Sequence, residues 1–422
     1  MARKEDTKVL EVLHPVCCGL DVHKKSIGAC LITRRDSGEH VEQRDFGTFT
    51  ENLRALRDWL LENECPVVAI ESTGVYWRSV FNVLEGSVQV LLVNARHTRH
   101  MPGRKTDMSD AKWLAGLLRH GLVRASFIPP EEIRRWRDWC RQRKNHVDSL
   151  GDYKRRIHMV LEMANVKIDS VVSDLFGATG RNLIRLLMDG GPLSVGEVEA
   201  CLRGRLCGKQ CKEKAAELHD AIQGFFGDHQ REILKPLLRV IGCLENEIAL
   251  IEARLKGLFA PYHDLVERMI AVPGIAYVAA WAILAEIGPT LEAFRAIEAF
   301  CAWCGLCPGN HERAGKRASG KSPVRRSMIR TILIEVAWAA IKTKGSYYRA
   351  KYFRLKSRLG AKKAIVAVAH RIAQALFHIV KNGAQYKELG GDYLALLHAE
   401  RRYHYLSREA KVLGYKLVPE TV

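Results

Sequence analysis

The chain has 422 residues, 47% of them hydrophobic, enough to bury cores for two or three domains. Its 66 Lys and Arg against 47 Asp and Glu leave a formal charge of +19, the electrostatic footprint of a phosphate-backbone partner, although charge alone would also fit a ribosomal or membrane-surface protein. No apolar run approaches 18 uncharged residues and Met1-Ala-Arg-Lys-Glu-Asp6 has no signal-peptide core, so the expectation is a soluble chain without a membrane partner, cytoplasmic and nucleoid-associated.

After an N-terminal extension, 1–13, residues 14–128 read as an α/β domain: strand, strand, strand (Val41 to Thr50), helix (Glu51 to Asn63), strand, helix, strand (Val88 to Val93), helix. Asp21 closes the apolar run Val16-Cys-Cys-Gly-Leu-Asp21, and Ser26-Ile-Gly-Ala-Cys-Leu-Ile32 follows as a hairpin-connected strand. Glu71 closes Val67-Val-Ala-Ile-Glu71, with the turn-prone Ser72-Thr73-Gly74 after it. Both carboxylates therefore stand at strand ends, where ligand sites of α/β sheets gather. Asp107 and Asp110 are three apart at the start of an amphipathic segment, Thr106 to Leu118, so helical geometry stacks them on one face. Any one of these acids alone reads as a strand-end or cap residue. Together they raise one another's pKa unless a cation neutralises them. Mg2+ (or Mn2+) suits four hard oxygen donors, and two such ions about 4 Å apart can clamp both oxygens of a phosphoryl displacement.

Ile128-Pro129-Pro130 punctuates the chain and opens a helical arm, 129–262. From Ile133 to Leu161 the apolar spacing is heptad-compatible but broken at Arg143 and Lys154. Leu234, Leu237, Ile241, Leu244, Ile248, Ile251, Leu255 and Leu258 alternate steps of three and four, the seam of a coiled coil. Its partner is either the 131–165 helix of the same chain or a second subunit. Between the two, 166–228 reads as an insertion of short helices. Neither Cys201, Cys207 and Cys211 with His219 nor Cys301, Cys304 and Cys307 completes a convincing zinc or iron–sulfur set, and the thiols are expected reduced.

Residues 263–390 form the next domain. His263 to Ala271, Val272-Pro-Gly-Ile275 and Ala276 to Ile287 read as helix, tight turn, helix. A helix-hairpin-helix would hold a phosphate on turn amides near Gly274, although Ala276 replaces the usual second glycine and a plain αα-corner has the same pattern. Asn310 to Arg326 is a polar, Gly-containing loop with six basic residues, Arg313, Lys316, Arg317, Lys321, Arg325 and Arg326, suited to phosphate. Helices Arg330 to Lys342 and Lys362 to Asn382 flank Ser346 to Arg358, whose aromatics among Lys and Arg either stack on unpaired bases or bury Tyr347 and Phe353 in a core. The tail, 391–422, carries no usable signal.

Gly19-Leu-Asp-Val-His-Lys-Lys25, Ile70-Glu-Ser-Thr-Gly-Val-Tyr76 and Lys105-Thr-Asp-Met-Ser-Asp-Ala111 resemble the N-terminal signature of the DEDD transposases of the insertion sequence 110 family. Val272-Pro-Gly-Ile275 and Phe300-Cys-Ala-Trp-Cys-Gly-Leu-Cys-Pro-Gly309 resemble the C-terminal transposase domain of the same family. The resemblance implies a ribonuclease-H/RuvC-like first domain whose metal ligands fall on Asp21, Glu71, Asp107 and Asp110. It also implies a homo-oligomer (dimer or tetramer), a structured guide RNA, DNA partners at element ends and target, and a serine that forms a phosphoserine link. At the position that best matches that serine this chain has Arg313, whose guanidinium stays protonated and cannot be a nucleophile. Ser319 is the expected substitute, and Ser322 is poorer because Pro323 stiffens its backbone. Two other readings stay open: a Holliday-junction-type metal-dependent nuclease, or a cleavage-impaired nucleic-acid-binding regulator.

Overall fold

A computed structural model of the chain describes residues 11–35, 38–71, 74–93, 109–123, 125–191, 194–202, 209–307, 311–313, 316–319 and 327–418. It divides into two compact units, Met1–Pro129 and Pro130–Val422.

The first unit is a mixed sheet with helices on both faces. Strands β1 (Cys17–Val22), β2 (Ser26–Arg35) and β3 (Gly38–Gly47) form an antiparallel meander, while β4 (Val67–Glu71) and β5 (Gln89–Val93) run parallel to β1. With β6 (Ala125–Ser126), the order across the sheet is β3-β2-β1-β4-β5-β6. The helices are α1 (Thr50–Glu62), α2 (Trp77–Leu84) and α3 (Asp110–Arg119). Alternation along the strands decides which side chain meets which helix. Cys18, Leu20, Val68 and Ile70 pack with Leu56, Leu60, Val80 and Leu84 of α1 and α2. Cys17, Val67 and Ala69 face the other way and pack with Ala111, Leu114, Ala115 and Leu118 of α3. Burial on both faces explains why β1 and β4 read as continuous apolar runs.

In the second unit, α4 (Glu131–Met163) and α9 (Asp228–Leu258) pair antiparallel. Ile133 and Trp136, near the start of α4, share a core with Ile251 and Leu255 near the end of α9. Ile157 and Leu161 share another with Leu234 and Ile241. The buried part of the leucine and isoleucine seam is thus satisfied within the chain. The two breaks in the α4 pattern also have a cause: Arg143 pairs with Glu252 at 2.6 Å, and Lys154 approaches Glu245 at 4.0 Å, both across to α9. Between these long helices, α5 (Ile168–Val171), α6 (Ala178–Asp189), α7 (Val195–Leu202) and α8 (Lys209–Ala221) close the second of those cores, so the insertion is a packed element.

Beyond them lie α10 (His263–Ile270), α11 (Tyr277–Ile287), α12 (Ile297–Trp303), the hairpin β7 (His311–Arg313) and β8 (Lys316–Ser319), α13 (Met328–Ala340), α14 (Tyr347–Leu359), α15 (Ala361–Asn382) and α16 (Tyr393–Val412). Helix α15 is long and apolar enough to cross a membrane by composition, but Ile365, Val368, Ile372 and Leu376 are buried in the core of this unit. One of the two readings of 346–358 is corrected here. Helix α14 buries Tyr348 and Tyr352, one turn apart, whereas Phe353 is half exposed. The tail, which carries no usable signal in the sequence, forms the 20-residue α16.

Candidate active site

The register of β1 on β4 pairs Cys18 with Val68, Gly19 with Ala69 and Leu20 with Ile70. The next step sets Asp21 beside Glu71 at the ends of neighbouring parallel strands, about 4.8 Å apart. Both belong to the odd-numbered set that faces α3, so the two carboxylates share one side of the sheet.

Helix α3 runs antiparallel to β1 on that side. Its last residue accepts hydrogen bonds at Arg119 O from the amides of Leu13 (2.9 Å) and His14 (3.0 Å), just before the strand. One turn back, Cys17 Sγ donates to Ala115 O at 3.6 Å. At Gly19 the helix touches the sheet backbone to backbone: a Cβ there would stand 2.2 Å from Ala111 O and 2.5 Å from Ala115 N. Only glycine allows this approach. Asp110, the residue before Ala111, is thereby brought to the carboxyl end of β1, where Asp21 and Glu71 are.

The helix start is held as well as its seat. Ser109 caps α3 by accepting from Lys112 N at 3.3 Å, and its hydroxyl donates to Gln43 Oε1 on β3 at 3.0 Å. At the far end Arg119 pairs with Glu39 of β3 at 3.2 Å. Asp110 occupies the first helical position, where the macrodipole favours a carboxylate. Asp21 is 29% exposed and its Oδ2 is hydrogen-bonded to His23 Nε2 at 3.1 Å. Asp107 lies outside the described residues.

Three carboxylates on one edge, reachable from solvent, match the donor chemistry of Mg2+ or Mn2+. They are not the tightest cluster: among the described residues, the group whose donor atoms all lie within 4.8 Å of one another is His158, Glu162 and Asp169. There His158 is already bonded to Asp169 (2.7 Å) and Glu162 to Lys167. The sequence offered the acids as candidates but did not point to Gly19, Ser109, Gln43 and His23, which seat α3 on the sheet, cap it and bond to Asp21. The signal was present in Gly19, a glycine inside an otherwise apolar strand, which marks close approach of another backbone.

The basic segment behaves differently from the expected loop. Arg313 and Lys316 pair across a two-residue connection, and His311 pairs with Ser319 at the open end, with a register shift between His311 and Glu312. The polar composition obscured this strand pairing. Ser319 thus ends a strand, six residues from Arg313 in sequence and on the opposite strand. Lys321, Ser322, Arg325 and Arg326 lie outside the described residues.

The expected helix, tight turn and helix is formed by α10, residues 271–276 and α11, with Tyr277 Oη donating to Glu267 at 2.7 Å. Gly274 has φ +88°, and a Cβ there would stand 2.5 Å from both Val336 O and Ala340 N of α13. Packing therefore accounts for this glycine. Cys301 and Cys304 are buried, and burial raises both thiols, Cys301 to about 12.

Residues 18–165 match a family model of DEDD transposases described as "Transposase", and residues 266–353 match one described as "Transposase IS116/IS110/IS902 family". The chain is 28% identical over 160 residues to the transposase for insertion sequence element IS1111A of Coxiella burnetii, 35% of this chain and 43% of that protein. It is 26% identical over 179 residues to a Sinorhizobium fredii relative, 41% of this chain and 44% of that protein. Each match spans less than half the relative's length. A solved structure titled as T. thermophilus RuvC in complex with Holliday junction substrate is 11% identical, with a TM-score of 0.20 over 26% of this chain and 99% of that one.

Proposed function

This chain belongs to the IS110 family of DEDD transposases, and from that premise we propose that it is a recombinase that cuts and rejoins DNA at the ends of a mobile element and at its target. The observation that supports the reading is the seating of α3 on Gly19 at Ala111, one residue after Asp110, beside a strand register whose next step is Asp21 and Glu71.

In this reading Asp21, Glu71, Asp110 and Asp107 hold Mg2+ or Mn2+, and the ions when bound supply charge neutralisation at the scissile phosphate. The chain's own residues do the rest. His23 orients one oxygen of Asp21, and Ser109 with Gln43 holds the helix end that carries Asp110. Arg313, Lys316, Arg317, Lys321, Arg325 and Arg326 bind and align the DNA phosphates, and the turn at Gly274 offers amides to a further phosphate. Ser319 is the nucleophile: its hydroxyl proton passes to solvent water as Oγ bonds to phosphorus, the bond from phosphorus to the departing DNA oxygen breaks, that oxygen takes a proton from water, and a phosphoserine link remains. Attack by an incoming DNA hydroxyl on that link releases serine and rejoins the strand.

The family also motivates an element-encoded guide RNA, a homo-oligomeric synapse and action on the nucleoid. Denaturing gels of a reaction with labelled element-end DNA test the core of the proposal. A Mn2+-dependent adduct that survives denaturation is the expected result. Metal-dependent cutting without an adduct would select the junction-nuclease reading, and binding without cutting the regulator reading.

A further inference from the structure

A cavity of about 380 Å³ opens in the helical unit between the start of α14, the exposed side of α15 and residues 384–389. All but its α14 and α12 lining lies beyond the two segments that match family models. Its wall is aromatic: Tyr386 stacks on the buried Tyr348, with centroids 6.3 Å apart and planes 16° from parallel, and Tyr347 meets Tyr348 edge-on at 5.6 Å. Glu388 clasps this wall. Its Oε1 accepts from the amides of Tyr347 (2.8 Å) and Gly390 (3.0 Å), and its Oε2 accepts from Tyr386 Oη (2.8 Å). These donors hold its carboxyl below the usual range against the opposing effect of burial. The Glu388 carboxylate is thus committed to the protein.

The rim is cationic. Arg371 donates to the neutral Gln374 at 2.9 Å, Lys387 is exposed, and the Lys351 ammonium lies 5.7 Å above the Tyr347 ring. Burial first, and then Arg371, press Lys351 and His370 below their ordinary values, so the cations here crowd one another. Such a crowd is relieved by a polyanion. An aromatic wall with a cationic rim is the pairing used for bases and backbone of unpaired strands.

We propose that this cavity binds an unpaired base of a single-stranded polynucleotide, with the tyrosine wall stacking on the base and Arg371 and Lys387 holding its flanking phosphates. The choice of a polynucleotide rests on the nucleic-acid reading above. RNA and displaced DNA share this chemistry.

The test is fluorescence anisotropy of the full chain with labelled single-stranded RNA, single-stranded DNA and duplex DNA, each about a dozen nucleotides long. Tyr347→Ala weakens single-strand binding about tenfold and spares the duplex, and Tyr347→Trp restores it. Arg371→Gln with Lys387→Gln, both exposed sites, lowers the salt slope by about one to two. Weakening in the RNA arm alone assigns the cavity to RNA, in the DNA arm alone to displaced DNA. Wild-type single-strand affinity in both folded variants overturns the proposal, and the recombinase reading survives if those variants still cut DNA. A wild-type chain with no affinity for any of the three overturns both.

Discussion

Replacing Gly19 with Ala tests the seat of α3 directly. The added methyl would stand 2.2 Å from Ala111 O and 2.5 Å from Ala115 N, and both are backbone atoms that no rotamer change can move. An ordinary contact needs about 3.4 Å, so the first turns of α3 must retreat by about 1 Å or the strand must bend. Overpacking of this kind costs about 1–3 kcal/mol. The same shift carries Asp110 off the sheet edge, and a misplacement of about 1 Å in a catalytic constellation can cost about a hundredfold in rate. Gly116→Ala is the matched control: it lies in the same helix with nothing within 4 Å of the new Cβ, and the change should stabilise by about 0.5–1 kcal/mol. Urea denaturation followed by circular dichroism reads the stability and single-turnover cutting reads the rate. A Gly19→Ala protein with wild-type stability and rate would refute the argument that this glycine sets the position of Asp110.

Ser319→Ala should eliminate any covalent DNA adduct while binding persists; an adduct lost in Ser322→Ala instead would assign the nucleophile to Ser322, and one created only by Arg313→Ser would restore the family position. Ile248→Asp with Ile251→Asp should cost several kcal/mol and lower the melting temperature of the chain itself, because Ile251 is 5% exposed in an intrachain core; a smaller, equally stable particle in light scattering would place the seam between subunits. Burial pushes the thiols of Cys17 up to about 12 and of Cys30 and Cys65 up to about 11, so they are protonated at neutral pH and gain reactivity only toward alkaline pH. Mass spectrometry after brief alkylation at neutral pH should find the exposed Cys243 modified and those three intact; rapid labelling of Cys17 would contradict the packing of β1 under α3.

The α/β character of the first unit was legible because buried central strands are continuous apolar runs, and their ends mark where Asp21 and Glu71 emerge. Their register was not: a pairing of Leu20 with Ile70 depends on a crossover through β2, β3 and α1, which local patterning does not encode. Spacing likewise showed that the seam from Leu234 to Leu258 needed a partner but carried no mark of whose helix supplies it. The breaks at Arg143 and Lys154 held that information, since each faces a glutamate on α9. Polar composition hid the antiparallel pairing of 311–313 with 316–319. The aromatic cavity was half legible: the tyrosines stood out among the cations, but Arg371 and Glu388, which complete it, arrive from helices and turns that only the fold brings near.

The most direct test of the account is Mn2+ titration followed by electron paramagnetic resonance, comparing the wild-type chain with Asp21→Asn and Glu71→Gln. Both variants should fold, and both should lose the tight Mn2+ binding expected of the wild type. Retention of wild-type Mn2+ binding by both folded variants would contradict the claim that this sheet edge is the metal-binding active site.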